Sequence, residues 1–138
     1  MNLTRILMVD DNAPLARLIG TRLEKTGRFA IRIENLPQAA LKANSEFKPA
    51  LWLLDVDMPG ITGPDLAKKL RQEPGCHNIP TIFLTSLVSE DEAGTQELVS
   101  NGNRYLAKSA PLDVIIRCIE RALNLPVAAA CAFGPQQR

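Results

Sequence analysis

The chain has little of what marks a specialised scaffold. Its 3 cysteines, Cys76, Cys118 and Cys131, are odd in number and form no CxxC pair, so neither a disulfide framework nor a zinc site is suggested. Cys118 falls in a helical pattern and reads as a small apolar residue, while the only histidine, His77, lies in the loop-like run Pro74-Gly75-Cys76-His77-Asn78. Aromatic residues make up 4% and offer no platform for stacking bases. No charge of either sign dominates: 16 basic against 15 acidic residues leave +1, which gives no electrostatic footprint for nucleic acid. No apolar run approaches the length that spans a membrane. The first residues, Met1-Asn2-Leu3-Thr4-Arg5, enter a strand pattern without a signal-peptide core, so the expected compartment is the cytoplasm. Internal repeats are absent. What remains, 46% hydrophobic and 22% charged over 138 residues, is the composition of one globular domain able to bury a core.

Within that ordinary composition, short apolar runs alternate with amphipathic ones five times. Strands are expected at 5–9, 30–34, 51–54, 81–84 and 104–107, and helices at 14–25, 37–43, 64–72, 91–100 and 112–123. The first helix places Leu15, Leu18, Ile19, Arg22 and Leu23 on one stripe, with Asn12 as N-cap, Pro14 in the first turn and Gly27 beyond its end. The third sets Leu66, Ala67 and Leu70 inward and Lys68, Lys69 and Arg71 in water; the last buries Val114, Ile115, Cys118, Ile119 and Leu123. Such alternation predicts an α/β domain: a five-stranded parallel sheet, doubly wound in the order 2-1-3-4-5, with a flavodoxin-like arrangement. Strands 1, 3 and 4 are apolar enough to be central, while Arg32 and Glu34 place strand 2 at an edge. The domain is expected to span residues 1–124; 125–138, low in charge and ending near Gly134-Pro135, reads as a tail or the start of a linker.

Asp55 is the most informative single residue. It ends the run Leu51-Trp52-Leu53-Leu54 and is followed by Val56-Asp57-Met58-Pro59-Gly60, so a buried strand stops at a carboxylate and turns sharply. Asp10-Asp11 likewise ends Ile6-Leu7-Met8-Val9. A 2-1-3-4-5 order brings both strand ends to the crevice, joined by Thr85-Ser86 after the fourth strand and Lys108 after the fifth. Taken singly, these are residues that also serve as helix caps, Asx turns or solvated charge. Together they form a carboxylate cluster suited to a hard, oxygen-seeking cation. Mg²⁺ is expected, partly hydrated and able to meet a phosphoryl oxygen, with Lys108 and Thr85 neutralising charge from another side. Asp55 is then a nucleophile forming an acyl phosphate.

Asp10-Asp11, Asp55 with Met58-Pro59 and Gly63, Thr85-Ser86, and Tyr105 ahead of Lys108 resemble the receiver domain of two-component response regulators over roughly residues 3–124. The resemblance implies that Asp55 accepts a phosphoryl group from a sensor histidine kinase or histidine phosphotransfer protein, making the chain a regulatory phosphoprotein rather than an enzyme with an external substrate. It implies that Asp10, Asp11 and Asp55 hold Mg²⁺, with Asp57 adding its backbone carbonyl, and that Lys108 pairs with the phosphoryl group. Thr85 and Tyr105 would form the switch, reshaping a surface of helix 4, strand 5 and helix 5 that meets a downstream protein, an attached output domain or a second copy. Two features depart from the family pattern. Ser109 follows Lys108 where proline, often after a cis bond, is usual; Asp57 puts a third acid in the loop, where with Leu87 it could tune hydrolysis. Two other functions compete: a receiver-like scaffold that is never phosphorylated, prompted by Ser109, and a Mg²⁺-dependent phosphatase resembling the haloacid-dehalogenase class, prompted by Leu54-Asp55-Val56-Asp57. Against the phosphatase, Met58-Pro59 follows where Gly-Thr is usual, the motif comes after the third strand, and no late acidic pair follows Lys108.

Overall fold

The structure, a computed structural model, describes residues 3–86, 97–100 and 103–124. Strands β1 (Thr4–Val9), β3 (Leu51–Asp55) and β6 (Thr81–Thr85) form the centre of a sheet because they are apolar on both faces and are buried on both. β2 (Phe29–Glu34) lies outside β1, and β8 (Asn103–Ala107) lies beyond β6. These five pair in parallel in the order β2-β1-β3-β6-β8, which is the expected 2-1-3-4-5 arrangement.

Alternate residues feed opposite cores. Ile6, Met8, Leu51, Leu53, Ile82, Leu84 and Leu106 meet α1 (Ala13–Lys25) and α4 (Leu112–Asn124) on one face. Leu7, Val9, Trp52, Leu54 and Phe83 meet α2 (Ala40–Phe47) and α3 (Gly63–Arg71) on the other. Trp52 is fully buried and donates its indole N–H to the Asn44 Oδ1 at 2.9 Å, so its one polar atom is satisfied within the core.

Several expectations are corrected. Residues 97–100, expected to end a helix, instead form β7 (Glu97–Ser100), a sixth strand pairing antiparallel with β8 in the register Ser100↔Asn103, Leu98↔Tyr105. The reason is legible afterwards: Glu97-Leu98-Val99-Ser100 and Asn103-Arg104-Tyr105-Leu106 are separated by Asn101-Gly102, the dipeptide that favours a two-residue hairpin. Strand 5 of the expected fold, β8, is consequently no edge. Residues 91–96 of that expected helix, Leu87, Cys131 and the 125–138 tail lie outside the described residues.

In α1 the buried stripe is Ala16, Ile19, Gly20 and Leu23, while Leu18 is 47% exposed and Arg22 faces solvent. Small residues win because the helix lies close on β2; a Cβ on Gly20 would come within 3.0 Å of the Ile33 Cδ1. The second helix opens as a 3₁₀ turn at Pro37–Ala39 before α2. Arg71 is not simply wet: it donates to the Thr81 hydroxyl at 2.8 Å and lies over the Trp52 ring at 5.8 Å.

Candidate functional site

At the carboxyl edge of the sheet four strand ends converge. β1 runs out into Asp10, which is fully buried, and Asp11, which is exposed; β3 ends in Asp55, 3% exposed. Carboxylate oxygens of Asp10, Asp11 and Asp55 all lie within 4.8 Å of one another, the predicted acidic cluster. β6 ends in the buried Thr85. Its carbonyl accepts the Lys108 N–H at 2.9 Å, which continues the ladder one residue past β8 and fixes where the lysine begins. Lys108 Nζ reaches 3.1 Å from Asp55 Oδ1 and 3.4 Å from Asp10 Oδ2. No cis peptide bond occurs among the described residues, so Lys108 meets the carboxylates with a trans bond to Ser109.

Local hydrogen bonds hold the acids in place. The Asn12 N–H donates to Asp10 Oδ1 at 2.9 Å, and the Asn12 side chain in turn caps α1 by accepting from the Leu15 N–H at 3.2 Å. The Val56 N–H donates to the Leu84 carbonyl at 3.0 Å and the Gly63 N–H to the Val56 carbonyl at 2.8 Å, closing the loop after Asp55. Within it β4 (Asp57–Met58) and β5 (Ile61–Thr62) form a small antiparallel pair. Gly63 is there for room: a Cβ would overlap the Asp55 carbonyl oxygen. Asp57 is exposed on β4, and its carboxylate is not one of the three in the cluster; its N–H lies 3.4 Å from Asp55 Oδ1. Tyr105 is half-buried on β8, its ring 5.4 Å from that of Phe83. Asn35, which donates to the Asp10 carbonyl at 2.9 Å, was not singled out by the sequence pattern. The available signal was an Asn immediately after the strand expected beside strand 1.

Like charges at such spacing repel by roughly 3 kcal/mol per ionised pair at protein-like screening. The Asp55 carboxyl accordingly rises from 3.8 to about 6, first through burial, then through its hydrogen bond with Asp11 and the charge of Asp10, with Lys108 opposing. For Lys108, burial works to lower its pKa, but hydrogen bonding to Asp55 and the charges of Asp10 and Asp55 outweigh it, and the pKa is raised. One oxygen is left over. Asp10 Oδ2 is buried, lacks a well-formed hydrogen bond and is met by the Lys108 ammonium 3.4 Å away. A buried anionic oxygen in this state, beside two further carboxylates, fits a hard divalent cation such as Mg²⁺.

A pH prediction follows with a definite sign. A carboxyl whose folded pKa lies above its unfolded 3.8 favours folding below 3.8 and loses that contribution as pH rises through about 6. In EDTA, the Tm of Asp55→Asn minus that of the unmodified protein should therefore grow between pH 4 and pH 7.5 (assay values). A difference that stays flat or shrinks would contradict the crowding of Asp55.

The profile of the family described as "Response regulator receiver domain" matches residues 6–120. Among curated relatives, the "Phosphate regulon transcriptional regulatory protein PhoB" of Pseudomonas aeruginosa is 35% identical over 113 residues, covering 81% of this chain and 48% of that protein. The protein of the same name in Escherichia coli is 31% identical over 114 residues, 82% of this chain and 49% of that one. This chain thus spans about half the length of these relatives. Among solved structures, the N-terminal domain of a "response regulator/sensory box/GGDEF 3-domain protein" from Carboxydothermus hydrogenoformans superposes with a TM-score of 0.70 at 29% identity, over 92% of this chain and 99% of that chain. The chemotaxis protein CheY4 of Vibrio cholerae, at 21% identity, shares the fold with a TM-score of 0.74, over 88% of this chain and 100% of its own.

Proposed function

We propose, since this chain belongs to the response regulator receiver domain family, that it is a phosphorylation-dependent signalling switch with Asp55 as the phosphoryl acceptor. The observation that carries the proposal is the placement of Asp55 between two further carboxylates and the ammonium of Lys108, 3.1 Å away. In the proposed transfer, an Asp55 carboxylate oxygen attacks the phosphorus of a phosphohistidine on a sensor kinase or phosphotransfer protein. The new O–P bond forms as the P–N bond breaks, and the imidazole leaves with the electron pair and takes up a proton.

Asp10, Asp11 and Asp55, with the Asp57 backbone carbonyl, would hold Mg²⁺, and the cation when bound would withdraw charge from the phosphoryl oxygens. The chain's own groups do the remainder. Lys108 stays paired to an anionic oxygen of the product. Thr85, at the end of β6, offers its hydroxyl to another, and Tyr105 on β8 follows that movement against Phe83. The surface proposed to answer is the helix 4–strand 5–helix 5 face, in which strand 5 is β8 and helix 5 is α4; of the expected helix 4, residues 97–100 form β7 and 91–96 lie outside the described residues. A local charge event biases a two-state element there. The partner reading the surface is a downstream protein, an attached output domain or a second copy. The relatives that match over about half their length are named as transcriptional regulators, which favours an attached output.

No helix among the described residues is long and apolar enough to cross a membrane; a cytoplasmic site of action is proposed with the rest. The switch is a regulatory domain, and the only chemistry proposed for it is its own phosphorylation and dephosphorylation. Incubation with Mg²⁺ and acetyl phosphate should add one phosphoryl group to the intact mass, and omitting Mg²⁺ should prevent it. An unchanged mass under conditions that label a control receiver would refute the proposal and favour the unphosphorylated scaffold.

A further inference from the structure

The edge strand β2 does more than flank β1. The ladder between them ends at Val9↔Glu34. One step further the Asp10 N–H still donates to the Glu34 carbonyl at 3.1 Å. The Asp10 carbonyl, which a continuing ladder would pair with a backbone N–H of the neighbouring strand, instead accepts from the side-chain amide of Asn35 at 2.9 Å. Beyond Asn35 the chain turns off into the Pro37–Ala39 3₁₀ turn, so no further backbone pairing is available.

Asp10 is thereby gripped at three atoms: its N–H by Glu34, its carbonyl by Asn35, and its Oδ1 by the Asn12 N–H at 2.9 Å. With those three fixed, the side chain has one remaining polar atom, Oδ2, which is buried, lacks a well-formed hydrogen bond and lies 3.4 Å from Lys108 Nζ. We propose that Asn35 is a positioning residue for the acidic cluster: its amide holds the Asp10 backbone so that Oδ2, the carboxylate oxygen beside Lys108, faces the cation site. Partners of this kind, one step removed from a metal ligand, commonly alter affinity by about 10- to 100-fold. The inference rests on the metal-assisted phosphoacceptor reading, and deepens it by tying metal affinity to a residue on an edge strand.

Mn²⁺ serves as the probe, titrated calorimetrically into the whole chain at neutral pH. Asn35→Leu keeps the side chain's approximate size and removes the donor; about tenfold weaker Mn²⁺ binding is expected. The amide resonances of Asp10, Asp11 and Asn12 in metal-free protein should move in the same variant. Arg28→Ala is the control. It breaks the exposed 2.8 Å Arg28–Glu120 pair next to the start of β2, away from the acids, and should leave Mn²⁺ affinity unchanged. A structural role alone would lower the Tm of Asn35→Leu and leave its Mn²⁺ affinity alone. Should Asn35→Leu fail to fold, Asn35→Ser, too short to reach the carbonyl, reads out the same loss. Unaltered affinity in an Asn35 variant that folds overturns the positioning role. Absence of Mn²⁺ binding in the unmodified protein overturns the metal reading beneath it.

Discussion

Replacing Asp55 by Asn is expected to slow phosphoryl acceptance from acetyl phosphate at least about a thousandfold, the scale on which loss of a nucleophile is felt. The substitution keeps size and shape, so the 3%-exposed site stays filled. What it removes is the charged oxygen able to attack phosphorus. The other acids do not replace it. Asp10 is fixed by the Asn12 N–H and buried against Lys108, while Asp57 is exposed on β4 outside the cluster. Intact-mass spectrometry over a time course reads the result. Labelling of Asp55→Asn at the unmodified rate would move the acceptor elsewhere and dismantle the assignment.

Gly63→Val is expected to cost about 3 kcal/mol or more in denaturant unfolding, because the clash is with backbone rather than with a movable side chain. The new Cβ would overlap the Asp55 carbonyl oxygen and stand 3.1 Å from the Phe83 ring. Relief requires moving the end of β3 that carries Asp55, so phosphoryl acceptance should fall as well. Gly60→Ala makes the useful contrast. Gly60 has a φ of 84° with nothing within 4 Å of an added Cβ, so only left-handed backbone strain opposes the change, at about 1–2 kcal/mol. Gly60, between β4 and β5, and Gly63, at the start of α3, thus serve different needs, one conformation and one space. Equal stability of Gly63→Val and the unmodified protein would contradict the close approach.

These positions also show why some of the fold is legible in the sequence and some is not. β1, β3 and β6 were readable because strands buried on both faces are nearly unbroken apolar runs, and the site was readable because each run ends on a charged or hydroxyl residue. Lys108 reached its place although Ser109 departs from the family pattern, since its position is set by the Thr85 carbonyl one residue past β8. Leu18 misled because periodicity counts hydrophobicity, whereas close packing of α1 on β2 favoured Ala16 and Gly20. Residues 97–100 depart from the helix that alternating βα order suggests, because that order carries no information about the Asn101-Gly102 dipeptide between the two strand sequences. Asn35 was invisible for a different reason: a side chain bonded to a backbone carbonyl 25 residues away leaves no periodicity to detect.

Asp10, Asp11 and Asp55 share one pocket, and on the proposed reading a bound divalent cation offsets their mutual repulsion. Thermal unfolding at pH 7.5 (an assay condition), followed as Mg²⁺ replaces EDTA, tests it most directly. The account predicts a saturable rise in Tm that Asp11→Asn largely removes, since Asp11 is the exposed member of the cluster and its loss leaves the core untouched. A Tm indifferent to millimolar Mg²⁺, or a rise just as large in Asp11→Asn, would contradict it.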